Sequence, residues 1–171
     1  LAAAGMDAVT QAYESWVSRY ATPFTRDLSA RSLRALVRAL PAMAGGDTSA
    51  ARDLLEGSYL AGLALSHARL GLVHGLAHPL GIRARAPHGV VCACCLPLAI
   101  RFNASAAAGI HADIEAAIGT PLTDWVEQTL AALGIRSPFA GTPPPSDREA
   151  VIAETLRSGS TKANPREVTA S

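Results

Sequence analysis

Three histidines, His74, His78 and His88, fall within fifteen residues of one another. His74 and His78 are four residues apart, so on a helix their imidazoles project within about 40° of each other. His88 follows a Gly/Pro-punctuated stretch and precedes Gly89 at an expected helix start. A chain of this kind can fold a third imidazole back beside the first two. Imidazole is the commonest protein metal ligand, and three nitrogens, or two with a carboxylate, suit zinc or non-heme iron(II). The spacing H-x3-H-x9-H leaves two readings side by side: a metal or catalytic site, or histidines satisfied at helix ends. The local glycines, Gly71, Gly75, Gly81 and Gly89, favour the first, because they let backbone come close to something.

A metal site of this kind needs a carboxylate. Asp7 stands in a setting of small and apolar residues, Gly5-Met6-Asp7-Ala8-Val9. Its plain reading is an acidic residue placed early in a helix, where the positive end of the dipole favours it. Gln11 is four residues on, on the same face. Glu14 extends that polar strip, either as support for a ligand or as an ordinary helix contact.

The elements that must carry these residues read as helices throughout. Met6, Val9, Tyr13, Trp16, Val17 and Tyr20 have helical spacing over residues 3–20, ended by Ala21-Thr22-Pro23. Thr25 or Asp27 is the expected cap of a second helix through Leu28, Leu33, Leu36, Val37 and Leu40, stopped at Gly45-Gly46. A third begins at Asp47 or Thr48 and has a face of small residues, Gly57, Ser58, Ala61, Gly62 and Ala64. Residues 81–87 read as an irregular loop and residues 89–100 as an apolar core helix. Helices over 104–118 and 122–133 follow, with Thr120 capping the latter and Pro121 in its first turn. Residues 137–146, with Pro143-Pro144-Pro145, form a stiff loop. Ser146 with Glu149 resembles a capping box opening a helix to about residue 158, and the remaining tail reads as a loop.

Composition agrees. The chain has 171 residues, 49% hydrophobic but only 5% aromatic, with Ala and Leu dominant. That fits one all-α domain of close-packed helices, a helical bundle over residues 1–171, rather than a β-sandwich. A net charge of +1, from 15 basic and 14 acidic residues, gives no electrostatic case for nucleic acid. No uninterrupted apolar run reaches the length of a membrane span, and no secretory signal is visible. Cys92, Cys94 and Cys95 form no disulfide framework and point to a reducing, cytoplasmic setting. The C-x-x-C spacing of Cys92 and Cys95 reads as buried helix packing. His67 reads as a core or surface residue and His111 as surface. Trp16 and Trp125 read as core or interface residues. Arg83 and Arg85 are solvated loop charges able to attract an anion. No G-x-G-x-x-G phosphate loop occurs.

Three blocks, GMDAVTQAYES, GLALSHARLGLVHGLAHPLGIRARAPHGVVCACCLP and STKANPREVT, together resemble the C-terminal half of the iron-containing (group III) alcohol dehydrogenases. They occur in the family's order, and the central block is the most specific. The resemblance implies a two-domain enzyme in which an N-terminal α/β domain binds NAD(P) and this helical domain holds a divalent metal, Fe2+ first and Zn2+ second. In the family pattern G-x-D-A-x-x-H, the aspartate matches Asp7, while the histidine position is Gln11. The family's central ligand histidine matches His74, and the histidine of its P-H-G motif matches His88. The histidine beside the nicotinamide, a proton relay, matches His78. Asp7, His74 and His88 keep a two-His-one-carboxylate set with open positions, to which Gln11 could add a weak amide oxygen. Alternatively the site stays empty.

On this reading a metal polarises the alcohol oxygen during hydride transfer to or from NAD(P), and His78 relays the proton. The expected partners are a small alcohol or aldehyde, the N-terminal nucleotide-binding domain and, as one option, a second copy in a homodimer. The start at Leu1 and the good N-cap Thr169 two residues from the end read as cuts within a larger architecture, with the last helix missing. Asn164-Pro165-Arg166 resembles a structural loop before that helix. The rivals are a non-catalytic helical scaffold, inactive and truncated, and a metal-dependent hydrolase on a helical bundle.

Overall fold

The structure is a computed structural model and describes residues 1–141 and 145–170. Among these, every regular element is helical, as the composition implies. The elements are α1 (Ala2–Val17), α2 (Pro23–Ala44), a single 3-10 turn (Thr48–Ala50), α3 (Ala51–Ala68), α4 (Leu72–Ala84), α5 (His88–Asn103), α6 (Ala108–Ile118), α7 (Leu122–Ala132), α8 (Arg148–Arg157) and the short α9 (Gly159–Lys162). The expected triple proline falls partly outside the described residues, at Pro143 and Pro144.

Helix α1 is the axis of the bundle and packs against α2, α3, α4 and α5. It is buried nearly all round, which is why its apolar stripe is wide. Met6, Val9, Ala12 and Tyr13 are fully inaccessible. Small residues set how close the neighbours come. A Cβ at Gly89, in the first turn of α5, would run into the carbonyl oxygen of Ala3. Glycine there lets α5 lie against the backbone of α1 and brings His88 to the Asp7 end of that helix.

Several helix boundaries differ from expectation for local reasons. Thr22, not Thr25 or Asp27, caps α2. Its hydroxyl accepts from Thr25 N at 3.2 Å. In return Thr25 Oγ1 accepts from Thr22 N at 2.8 Å. The pair is reciprocal, as in a capping box, and Pro23 follows as the first helical residue. Residues 81–84 are helical rather than a loop. The helix runs past Pro79, where Arg83 Nη1 also donates to the Pro79 carbonyl, and it ends only at Arg85 in a left-handed conformation, φ 49°. The capping box expected at Ser146 does not form. Asp147 is the residue before α8, and its carboxylate accepts from Arg83 instead, at 2.7 Å. Thr120 likewise does not cap α7, whose Leu122 N–H is accepted by Glu115 at 3.3 Å.

The C-terminal tail is ordered rather than a plain loop. Asn164 is 1% exposed. Its carboxamide exchanges two hydrogen bonds with Asn103 (3.1 and 2.7 Å), accepts from Leu72 N (3.2 Å) and donates to Arg166 O (2.7 Å). The tail is thereby tied to the ends of α4 and α5, in the structural role expected of it. Removing the carboxamide strands partners at two helix ends, so Asn164→Ala is expected to destabilise the chain by about 2–3 kcal/mol, measured as a lowered urea midpoint at unchanged slope.

Candidate metal centre

Three helices converge on one point. Asp7 comes from the first half of α1, His74 from the first turn of α4, and His88 from the first residue of α5. His74 Nε2 lies 3.4 Å from Asp7 Oδ1, His88 Nε2 lies 3.7 Å from the same oxygen, and the two rings are 5.4 Å apart between centroids. Asp7 Oδ1 and His74 Nε2 are buried without a hydrogen-bond partner. Buried polar atoms are rarely left so. Two such atoms facing each other across a gap, one an oxygen anion and one a ring nitrogen, match the donor set of a divalent cation.

His74 is held by Glu14, which is 1% exposed on α1. The Glu14 carboxylate accepts from the His74 ring at Nδ1 (2.7 Å), from Val73 N (2.6 Å) and from His74 N (3.4 Å). Helix α4 has no cap from its own N-cap residue, Gly71. Glu14 supplies one from a different helix, placing an anion at the positive end of α4. A Cβ at Gly71 would crowd Glu14 Oε1 at 2.8 Å, so the glycine keeps room for the carboxylate. The polar strip seen in the sequence therefore resolves into Asp7 at the gap and Glu14 behind the His74 imidazole, where it fixes which ring nitrogen faces the gap.

Gln11 donates its amide to Asp7 Oδ2 at 3.0 Å and so aligns the carboxylate whose other oxygen faces the gap. His78 lies outside the convergence. It is exposed on α4 and, with Gly81, Arg85 and His88, lines an open cleft of about 240 Å3 beside the gap. Arg83 is not a free loop cation. It is paired with Asp147 at 2.6 Å and Glu154 at 2.9 Å, binding α8 to α4. His111 is not a surface residue but half-buried, with Nε2 3.0 Å from the Tyr13 hydroxyl. His67 is exposed, Trp16 is in the core and Trp125 packs against it.

One neighbour of the gap escaped sequence reasoning. Cys92 is fully buried, as a packing residue should be, but its sulfur is also 3.4 Å from His88 Nε2. Ligand atoms of Asp7, His74, His88 and Cys92 all lie within 4.8 Å of one another. The available signal was its position four residues after His88 on one helix face, which the C-x-x-C pattern obscured.

Electrostatics bind the group together. Burial opposes the Asp7 carboxylate, but the adjoining His74 imidazole outweighs it and holds the carboxyl below its ordinary range. Burial alone would depress His74. Asp7, Cys92 and Glu14 around it carry the imidazole up to about 12.

The family model for the Fe-containing alcohol dehydrogenase family, C-terminal, matches residues 1–170. The chain belongs to this family. It is 33% identical to lactaldehyde reductase of Escherichia coli K12 over 98% of this chain and 47% of that protein. It is 35% identical to 1,3-propanediol dehydrogenase of Klebsiella pneumoniae over 96% of this chain and 46% of that protein. Among solved structures, alcohol dehydrogenase from Oenococcus oeni superposes with a TM-score of 0.85 at 33% identity, covering 99% of this chain and 48% of that one. The chain spans about half the length of the curated relatives it matches. The all-α fold and the resemblance read from the three sequence blocks both stand. The family implies a divalent metal, and the two orphaned buried atoms fit one. No helix among the described residues is long and apolar enough to cross a membrane.

A cation entering the gap must displace the proton from His74, because only the neutral imidazole donates a lone pair. The groups around His74 favour its protonated form over the neutral one. Metal affinity is therefore expected to rise at least about tenfold per pH unit between about pH 6 and pH 8, one decade for each proton displaced, with proton uptake by the buffer, as read by calorimetric Zn2+ titration in two buffers.

Proposed function

We propose that this chain is the metal-holding helical domain of an NAD(P)-linked oxidoreductase that interconverts small alcohols with aldehydes or ketones. The observation that carries the reading is the pair of orphaned atoms, Asp7 Oδ1 and His74 Nε2, in the gap that His88 also borders. Asp7, His74 and His88 would hold a divalent ion, Fe2+ or Zn2+. When bound, that ion supplies a Lewis acid for the alcohol or carbonyl oxygen. Gln11 stands where the family motif has a histidine. It positions the Asp7 carboxylate through its amide nitrogen and, turned over, offers a weak oxygen donor. Glu14 keeps the His74 ring in the orientation that points Nε2 into the gap, where it would be free to hold the ion.

His78 would act on protons rather than on metal. Its exposed imidazole lines the cleft next to His88. With solvent on one side, it can hand a proton between the reacting oxygen and water. Arg85 borders the same cleft and offers a cation to an anionic part of the substrate or nucleotide. Within this reading the nucleotide is bound mainly by an N-terminal domain, and residues 1–171 constitute the helical domain. The hydride chemistry belongs to the cofactor.

The test is metal analysis of protein purified without chelator, beside activity with NAD(P)H and short aldehydes. His74→Ala should lose the metal, and Gln11→His should gain occupancy. Unchanged metal content in both variants rejects the ligand assignment. His78→Ala should keep its metal and lower kcat by about 10^2 to 10^4, whereas undiminished turnover removes His78 from proton transfer.

A further inference from the structure

We propose that Cys92 is a direct ligand of the ion, closing a four-donor set of Asp7, His74, His88 and Cys92 and biasing the site toward Zn2+. This rests on the metal-centre reading above. Its first support is distance. Nitrogen and oxygen donors about 2.0–2.1 Å from a tetrahedral ion, with sulfur at about 2.3 Å, stand about 3.3–3.6 Å from one another. The observed separations are 3.4 Å for Cys92 Sγ to His88 Nε2, 3.4 Å for His74 Nε2 to Asp7 Oδ1 and 3.7 Å for His88 Nε2 to Asp7 Oδ1. Three of the six separations thus match or approach the edge lengths of a coordination tetrahedron, and all four donor atoms, brought by three helices, lie within 4.8 Å of one another.

The second support is the face that Cys92 occupies. It lies one turn below His88 on α5, on the side turned to α1 and α4. Cys94 is rotated away from that side, and Cys95 returns to it only about 10 Å from His88 along the axis. Cys92 is a free thiol. The third support is the buried surroundings. His74 has a side-chain exposure of 7%, and its unpartnered Nε2 is aimed into the gap that Cys92 walls. Gln11 brings no imidazole to this ring of donors, and Cys92 supplies a donor within it.

On coordination the thiol gives its proton to solvent and the sulfur lends an electron pair to the ion. No oxidant or reductant is involved. A soft thiolate beside two imidazoles favours zinc over the oxygen-seeking cations magnesium and manganese. It also lowers the rank of iron(II), the ion the family would otherwise suggest.

The purified protein, stripped with chelator and reduced, is titrated with Co2+ as a spectroscopic stand-in for Zn2+. The wild type should bind Co2+ with an intense near-ultraviolet thiolate-to-cobalt charge-transfer band. Cys92→Ser should lose the band and bind at least about tenfold more weakly, since even supporting residues behind a ligand cost about 10-fold to 100-fold. The double variant Cys94→Ala/Cys95→Ala leaves Cys92 as this chain's sole thiol and should keep the band. It serves as the independent check if Cys92→Ser fails to give the wild-type helical circular dichroism. Tight Co2+ binding without the band, with equal affinity in Cys92→Ser, overturns the thiolate ligand and leaves the three-donor reading standing. Absence of Co2+ binding to the wild type overturns both.

Discussion

Glu14 sits in the last turn of α1, the most buried helix of the bundle, with its carboxylate against the N-terminus of α4. An ionised group in such a place is tolerated only when its partners are in place. They are all on α4: two backbone N–H groups and the His74 ring. Helix α4 in turn has no side-chain cap of its own, so α1 and α4 each satisfy a group the other leaves exposed to an apolar interior. The α3–α4 connection is held to the same face of α1. Ser15 and Ser18 donate to the carbonyls of Arg69 and Ala68, at 3.3 and 2.5 Å. The start of α4, and with it His74, is fixed in height and rotation relative to Asp7 by these contacts with one helix.

The same arrangement resolves an electrostatic conflict. His74 and His88 are both in the first turn of a helix, where the positive dipole end disfavours a cation. An ion bound there would face two such ends. Glu14 neutralises the end of α4 directly, and Asp7 lies in the gap itself. Two carboxylates therefore stand against two helix ends. The same carboxylates favour a proton on His74 against the effect of its burial. The gap between Asp7 and His74 is thus one that favours positive charge.

Much of this was legible in the sequence, because local rules govern helices. Periodicity, composition and Gly-Gly punctuation sufficed for the all-α class and most element positions. Asp7, His74 and His88 could be named through a family pattern. What could not be read depends on partners far along the chain. Glu14 could be read equally as support for a ligand or as an ordinary helix contact, because its partners wait at the start of α4, with α2 and α3 intervening in the sequence. Arg83 looked solvated because Asp147 and Glu154 belong to α8 and the residue before it, with α5, α6 and α7 in between. The end of α4 was missed for a different reason. Gly and Pro usually break helices. Here the helix continues through Pro79, and it ends where Arg85 adopts the left-handed conformation that glycine normally takes.

Cys92 shows where pattern reasoning reaches its limit. A buried cysteine on an apolar helix and a cysteine ligand have the same periodicity, because a metal site wrapped by helices is itself part of their inner faces. What separates them is whether the facing helices bring donors to the same height. Gly89 governs that here. Its missing side chain lets α5 settle on the Ala3 carbonyl and lowers His88 and Cys92 together to the level of Asp7. A larger residue at 89 would push α5 off α1 and move two donors at once, while leaving the hydrophobic pattern of the helix unchanged. The glycine of the P-H-G motif is thus a constraint on site geometry, acting through the distance between two backbones.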